Sequence, residues 1–313
     1  MANHTEQADA LEAFLKEIKN AKCSAYNSTL ETLYGLDPSY GYVPSEPAGI
    51  VFAVLFCIAV AYHTAQYIRI RSVPSILLSI GAFTELIGWG ARTYSSRCPY
   101  NSDSFLAQEV TLIIAPVFFS AALYFMLGKL IVDLGPASSI LSAKWYTILF
   151  CTCDFISLVV QAVGGAKAST ADTQDEQDQG TWVMLAGVAF QLLTMTFFGL
   201  LLLDFMRRVL LSRLATAVRS SVNRAIKLVC LAVVISFIMI YVRSVYRTVE
   251  LAQGWNGYLI THEAYFIGLD AAIMFVAVGV FMCLDPAVIL WSSRRSKDVE
   301  SKAQQNDTTS LSN

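Results

Sequence analysis

Seven stretches of about twenty apolar residues dominate the chain, each the length a helix needs to cross roughly 30 Å of hydrocarbon. They run over 48–68, 74–94, 106–128, 145–165, 182–204, 226–246 and 262–284. In lipid every backbone N–H and C=O must find its partner within the segment, so a continuous apolar run of this length predicts a helix. A β-barrel needs alternating segments of about ten residues, and these runs do not alternate. The expected fold is therefore an all-α membrane protein with seven transmembrane helices. Only 15% of the 313 residues are charged and 55% are hydrophobic, too little charge to cover a soluble surface of this size.

Seven crossings put the chain ends on opposite sides, and basic residues in the linkers say which is which. Arg69 and Arg71, Lys129 and Lys144, the set from Arg207 to Lys227, and Arg294, Arg295 and Lys297 after the last span all fall on one side. The other side has Arg97, Lys167 and an acidic loop from Ala171 to Gly180. The positive-inside rule then places the N-terminus outside and the C-terminus in the cytoplasm. Lys16, Lys19 and Lys22 in the N-terminal tail run against this but are accompanied by acids. The expected organisation is an extracellular tail (1–47), a seven-helix domain (48–290) and a disordered cytoplasmic tail (291–313). The stretch from Phe205 to Lys227 has a basic and an apolar face and reads as a solvated cytoplasmic loop, with a continuation of the flanking helices or a segment on the inner leaflet as the alternatives.

That orientation gives meaning to two sequons and two cysteines. Asn3 and Asn27 lie outside and are glycosylation candidates. Cys23 and Cys98 are the two cysteines outside the spans, both on the oxidising side, and are expected to form a disulfide; two free thiols are the alternative. Cys57, Cys151, Cys153, Cys230 and Cys283 fall within spans and read as small buried apolar residues.

Charges inside the spans are costly, by at least about 2.5–3.5 kcal/mol each on insertion scales, so they face the bundle interior and are functional candidates. Glu85, Asp154 and Asp270 lie deep. Arg92, Arg243, Arg247 and Glu250 lie toward the outer ends of the second and sixth spans. Gly81, Glu85, Gly88 and Arg92 share one helical stripe, and the glycines let another helix approach closely. Arg92 is about 10 Å beyond Glu85 along the axis, too far to pair, which makes Arg243 the first candidate partner of Glu85. Asp154, Gln161 and Gly165 share a face of the fourth span, and Glu263 and Asp270 lie seven apart at the seventh. The simplest account is one polar cavity weighted to the outer half, lined by Glu85, Arg92, Asp154, Gln161, Arg243, Arg247, Glu250, Glu263 and Asp270. The alternative is a set of ion pairs that only fix helix register. Five acids stand against three arginines, an excess suited to attracting a cation or carrying a proton. Pro116, mid-span, is expected to kink the third helix.

No phosphate-binding glycine loop occurs, and His4, His63 and His262 are too scattered to hold a metal together. No nucleophile elbow and no lysine for a Schiff base in the seventh span are present, so no catalytic residues, no metal and no cofactor are expected. Nucleic acid is not an expected partner.

Five segments in order carry a resemblance. They are "GAFTELIGWGAR" in the second span, "APVFFSAALY" in the third, "DFISLVVQAVGG" in the fourth, "RSVYRTVELAQG" in the sixth and "HEAYFIGLD" leading into the seventh. With these the chain resembles the fungal lipid-translocating exporter family, which includes yeast sphingoid-base and aminocholesterol resistance proteins. The resemblance implies seven helices with an outer N-terminus and no catalytic residues. It also implies a transporter or exporter of lipids or cationic amphiphiles in the plasma membrane, with membrane lipids and an amphiphilic small molecule as partners. Ile267 and Trp89 stand where that family is expected to carry tyrosine, and Asp285 where a histidine is expected. The rival reading is a seven-helix receptor or stress sensor working through the basic loop between spans five and six.

Overall fold

The computed structural model describes Cys23 and residues 38–134, 138–171, 173–210, 224–254 and 257–286. The candidate glycosylation sites Asn3 and Asn27, residues 211–223 of the basic stretch and the tail 291–313 lie outside these residues. Seven helices are long and apolar enough to cross a membrane, and no strand occurs among the described residues.

Each helix begins where its sequence permits. α1 (Glu46–Ile70) and α2 (Val73–Arg97) both carry proline in the first turn, where a missing N–H costs nothing. The two-residue link between them turns on Arg71, whose left-handed φ of 55° lets its N–H reach back to the Tyr67 carbonyl at 2.8 Å. α3 (Ser102–Leu134) runs unbroken through Pro116. α4 (Ala143–Ser169) is followed by α5 (Gln174–Leu210), which starts inside the stretch expected to be an acidic loop. Asp175 and Glu176 occupy its first turn, where carboxylates favour the positive end of the helix dipole, so acidity extends the helix instead of ending it. α6 (Arg224–Ala252) is followed by two single turns, α7 (Tyr258–Thr261) and α8 (Glu263–Phe266). The seventh crossing continues from α8 through a π-helical segment, Ile267–Ala272, into α9 (Ile273–Cys283).

α3 is the most buried span and touches α2, α4, α6 and α9. α4 and α5 form a second tight pair. A Cβ at Gly164 would stand 2.8 Å from Met184 Cα, and one at Gly187 3.0 Å from the Gln161 nitrogen, so only glycine allows these backbones to meet. Phe155, Val163, Leu193 and Phe197 on the outer faces of this pair are exposed, as expected for side chains that meet lipid. Of the five free cysteines only Cys230 is buried; Cys57 and Cys283 are exposed, because their helix faces point away from the bundle. Cys23 and Cys98 form a disulfide across 75 residues of sequence.

One end of the bundle carries residues 38–45, laid across the helix ends as a strap. The Ser39 N–H donates to the Pro99 carbonyl at 2.9 Å, and the Ser45 N–H to Glu263 Oε1 at 2.9 Å. The disulfide joins Cys98, beside Pro99, to the N-terminal tail at this same end.

Candidate functional site

Arg92 is the hub beneath the strap. It is 1% exposed, and its Nη2 donates to Glu263 Oε1 and to the Tyr42 hydroxyl, both at 2.8 Å. Its Nη1 reaches Gln108 Oε1 at 3.2 Å, which also accepts from the Tyr40 hydroxyl at 2.8 Å. Phe266 and Tyr40 hold their ring centroids 4.6 and 5.1 Å from the guanidinium carbon, a cation–π setting. Burial pushes the phenol pKa of Tyr40 and Tyr42 up, so both hydroxyls stay protonated.

A second cluster lies across α3 and α6. Arg247 donates to Glu109 Oε2 and to Glu250 Oε2, each at 2.7 Å, and the Tyr246 hydroxyl donates to the other Glu250 oxygen at 2.9 Å. A third cluster ties α3, α6 and the π segment. Pro116 has no N–H to offer the Leu112 carbonyl four residues back, and that carbonyl accepts from Arg243 Nη2 at 2.7 Å. Arg243 Nε stands 2.7 Å from Asp270 Oδ1. The approach is off the line of a hydrogen bond, so this is an ion pair in which neither Asp270 oxygen has a hydrogen-bond donor among the described residues.

Glu85 lies fully buried nearby, with Arg243 and Asp270 in electrostatic range. Its donor is not Arg243 but Trp89 Nε1, one turn along its own helix at 3.3 Å; its other oxygen has no hydrogen-bond partner among the described residues. Asp270 claims Arg243 because the π segment aims it there. The expected glycine contact does occur: Gly81 and Gly88 face Phe119 and Leu112 of α3.

A cavity of about 780 Å³ opens at the strap end, within the range typical of small-molecule sites. The strap, the first turns of α3, the last turns of α4 and the end of α6 wall it. Its polar lining includes Tyr40, Tyr42, Arg92, Gln108, Glu109, Gln161 and Glu250; its apolar lining includes Phe105, Leu106, Ile113, Ile114 and Leu158. A crevice of about 40 Å³ adjoins it behind Glu109 and Glu250, lined also by Arg243 and Arg247.

The structure thus gathers Arg92, Gln161 and Glu250 on the cavity wall, and Arg243, Arg247, Glu263, Asp270 and Glu85 as their surroundings. It does not bring Asp154 there. Asp154 is buried on α4 and accepts from the hydroxyl of Tyr124 on α3 at 2.9 Å, and the Tyr124 ring packs against Phe150 and Phe198. Gln161 reaches cavity level because it lies two turns, about 10 Å, further along α4. Sequence reasoning missed Glu109, Gln108 and the two strap tyrosines. Glu109 sits near the boundary of its span, where a charge draws no notice, though it shares a helix face with Pro116 seven residues on.

A family model described as RTA1 like protein matches residues 78–293. The sphingoid long-chain base transporter RSB1 of Saccharomyces cerevisiae is 32% identical over 289 residues, covering 82% of this chain and 74% of its own. Protoporphyrin uptake protein 1 of the same yeast is 28% identical over 278 residues, covering 77% of this chain and 90% of its own. Protein RTA1 of that yeast is 26% identical over 277 residues, covering 80% and 85%. No solved structure matches.

Proposed function

The chain belongs to the RTA1-like family, and on that premise we propose that it is a multi-pass membrane transporter of lipids or cationic amphiphiles, long-chain sphingoid bases first among them. The observation that carries this reading is the mixed lining of the cavity: carboxylates, tyrosines and amides together with aliphatic and aromatic side chains. Such a site matches a molecule with a small polar head and a hydrocarbon tail. The name of the 32% identical relative supports the same substrate class. The cellular outcome is tolerance to membrane-active compounds.

In this reading the strap end faces outward and the protein resides in the plasma membrane. The Cys23–Cys98 disulfide supports that side, since such bonds persist in oxidising compartments. Asn3 and Asn27, on the same outer tail, would carry glycans, which an endoglycosidase mobility shift detects.

Purified protein in vesicles provides the test. Transbilayer movement of a fluorescent long-chain base is expected to exceed that in protein-free vesicles. Equal rates, with folded protein present, would sink the transporter reading and leave a receptor or sensor.

A further inference from the structure

Glu109 on α3 and Glu250 on α6 both line the large cavity, and the guanidinium of Arg247 joins them from the crevice behind, 2.7 Å from each. Two carboxylates against one guanidinium leave a formal charge of −1 at this wall. Arg92, the other charged residue on the cavity lining, is balanced by Glu263 at 2.8 Å. The cavity lining and its direct partners therefore carry one net negative charge, which suits a monocation.

Next to Glu109 in the chain, Gln108 lines the same cavity and is fully buried. Its oxygen is occupied twice, by Tyr40 and Arg92. That assignment turns the amide nitrogen into a free donor, and Gln108 Nε2 has no acceptor among the described residues. Buried amide donors are rarely left so, and each that is calls for an explanation.

We propose that Glu109 and Glu250 form the subsite for a protonated primary amine, and that Gln108 Nε2 donates to a hydroxyl oxygen on the same headgroup. The cavity thereby recognises a long-chain 2-amino alcohol through both groups at once, with Ile113, Ile114 and Leu158 against the chain. This assignment rests on the transport reading above and names the residues that give it specificity. Arg247 has a positioning role: it neutralises one of the two carboxylates and holds them side by side, so the wall retains a single charge for the ligand.

The test uses full-length protein in lipid nanodiscs and three C18 ligands: sphinganine, its N-acetyl derivative and octadecylamine. The native chain is expected to bind sphinganine at least about 10-fold more tightly than the uncharged N-acetyl form, the scale of a charge-assisted hydrogen bond. It is expected to prefer sphinganine to octadecylamine by about 5-fold, the scale of a neutral one. Glu109→Gln still accepts from Arg247 but removes the charge, and should erase the first preference. Gln108→Met is close in shape, adds no charge and removes the amide donor without supplying a strong acceptor for the ligand hydroxyl, and should erase the second preference while retaining the first. Glu250→Gln provides an independent check should Glu109→Gln fail to fold, which its melting curve reports. Native protein that binds sphinganine and its N-acetyl form equally overturns the amine subsite, as does folded Glu109→Gln or Glu250→Gln with native affinity for sphinganine. Folded Gln108→Met that keeps the native preference for sphinganine over octadecylamine overturns the hydroxyl contact. If no long-chain base binds the native chain at all, the transport reading itself fails.

Discussion

Arg92 bonds Glu263, Tyr42 and Gln108 from a nearly fully buried position, so Arg92→Ala would strand a carboxylate and two polar groups together. Breaking a buried pair from one side costs about 3–5 kcal/mol, and the variant is expected to melt well below the native protein. A melting temperature within a degree or two of native would mean that Glu263 and the strap tyrosines find other partners. Glu85 calls for a gentler substitution. Glu85→Gln keeps an acceptor for Trp89 and nearly the same shape, yet removes the titratable proton site beside Arg243 and Asp270. Transport is expected to fall about tenfold, equivalent to about 1.4 kcal/mol, with the melting curve little changed. Native flux from this variant would assign Glu85 to packing alone. These intramembrane charges were legible in the sequence because acids and arginines are rare in apolar runs. Their pairing was not: helix periodicity gives the face of a residue, not which neighbour claims it.

Pro116 and the π segment act together at the level of the helix. The proline frees the Leu112 carbonyl, and the wide turn from Ile267 to Ala272 brings Asp270 to the same guanidinium. Pro116→Ala would give Leu112 its helical donor back and set it in competition with Arg243. The expected result is a higher melting temperature, by up to about 3 kcal/mol of helix stability, with slower lipid movement. A variant that is more stable and equally fast would show that the Arg243 contact is incidental. The seven spans could be read directly, since unbroken hydrophobic length is the signal that a membrane imposes. The π segment could not, because one extra residue in a turn leaves no trace in composition. α5 outran its apolar window for a related reason, since its first turn is stabilised by Asp175 and Glu176 and not by hydrophobicity.

For the whole molecule, the Cys23–Cys98 bond closes a loop of 75 residues and ties the N-terminal tail to the rim of the cavity. Loop closure of this length typically contributes about 2–4 kcal/mol. Cys23→Ser is expected to lower the melting temperature and to make the tail more sensitive to limited proteolysis. Unchanged proteolysis would mean that the strap is held by Ser39, Tyr42 and Ser45 without help from the tail. The cavity was legible in outline, as a polar face weighted toward one end. Its roof was not, because Tyr40 and Tyr42 sit in a short polar segment with no periodicity to mark it.

The cavity also bears on how the protein can be handled. Its walls come from segments far apart in the chain: the strap, α3, α4, α5 and α6 all contribute. A molecule that bridges them binds the folded bundle and not the unfolded chain. By mass action it adds about 2.7 kcal/mol to folding stability at one hundred times its dissociation constant. Heat resistance thus becomes a readout of occupancy. A panel of amphiphiles can be ranked by the rise in melting temperature each produces, with no need to know which way the protein moves them.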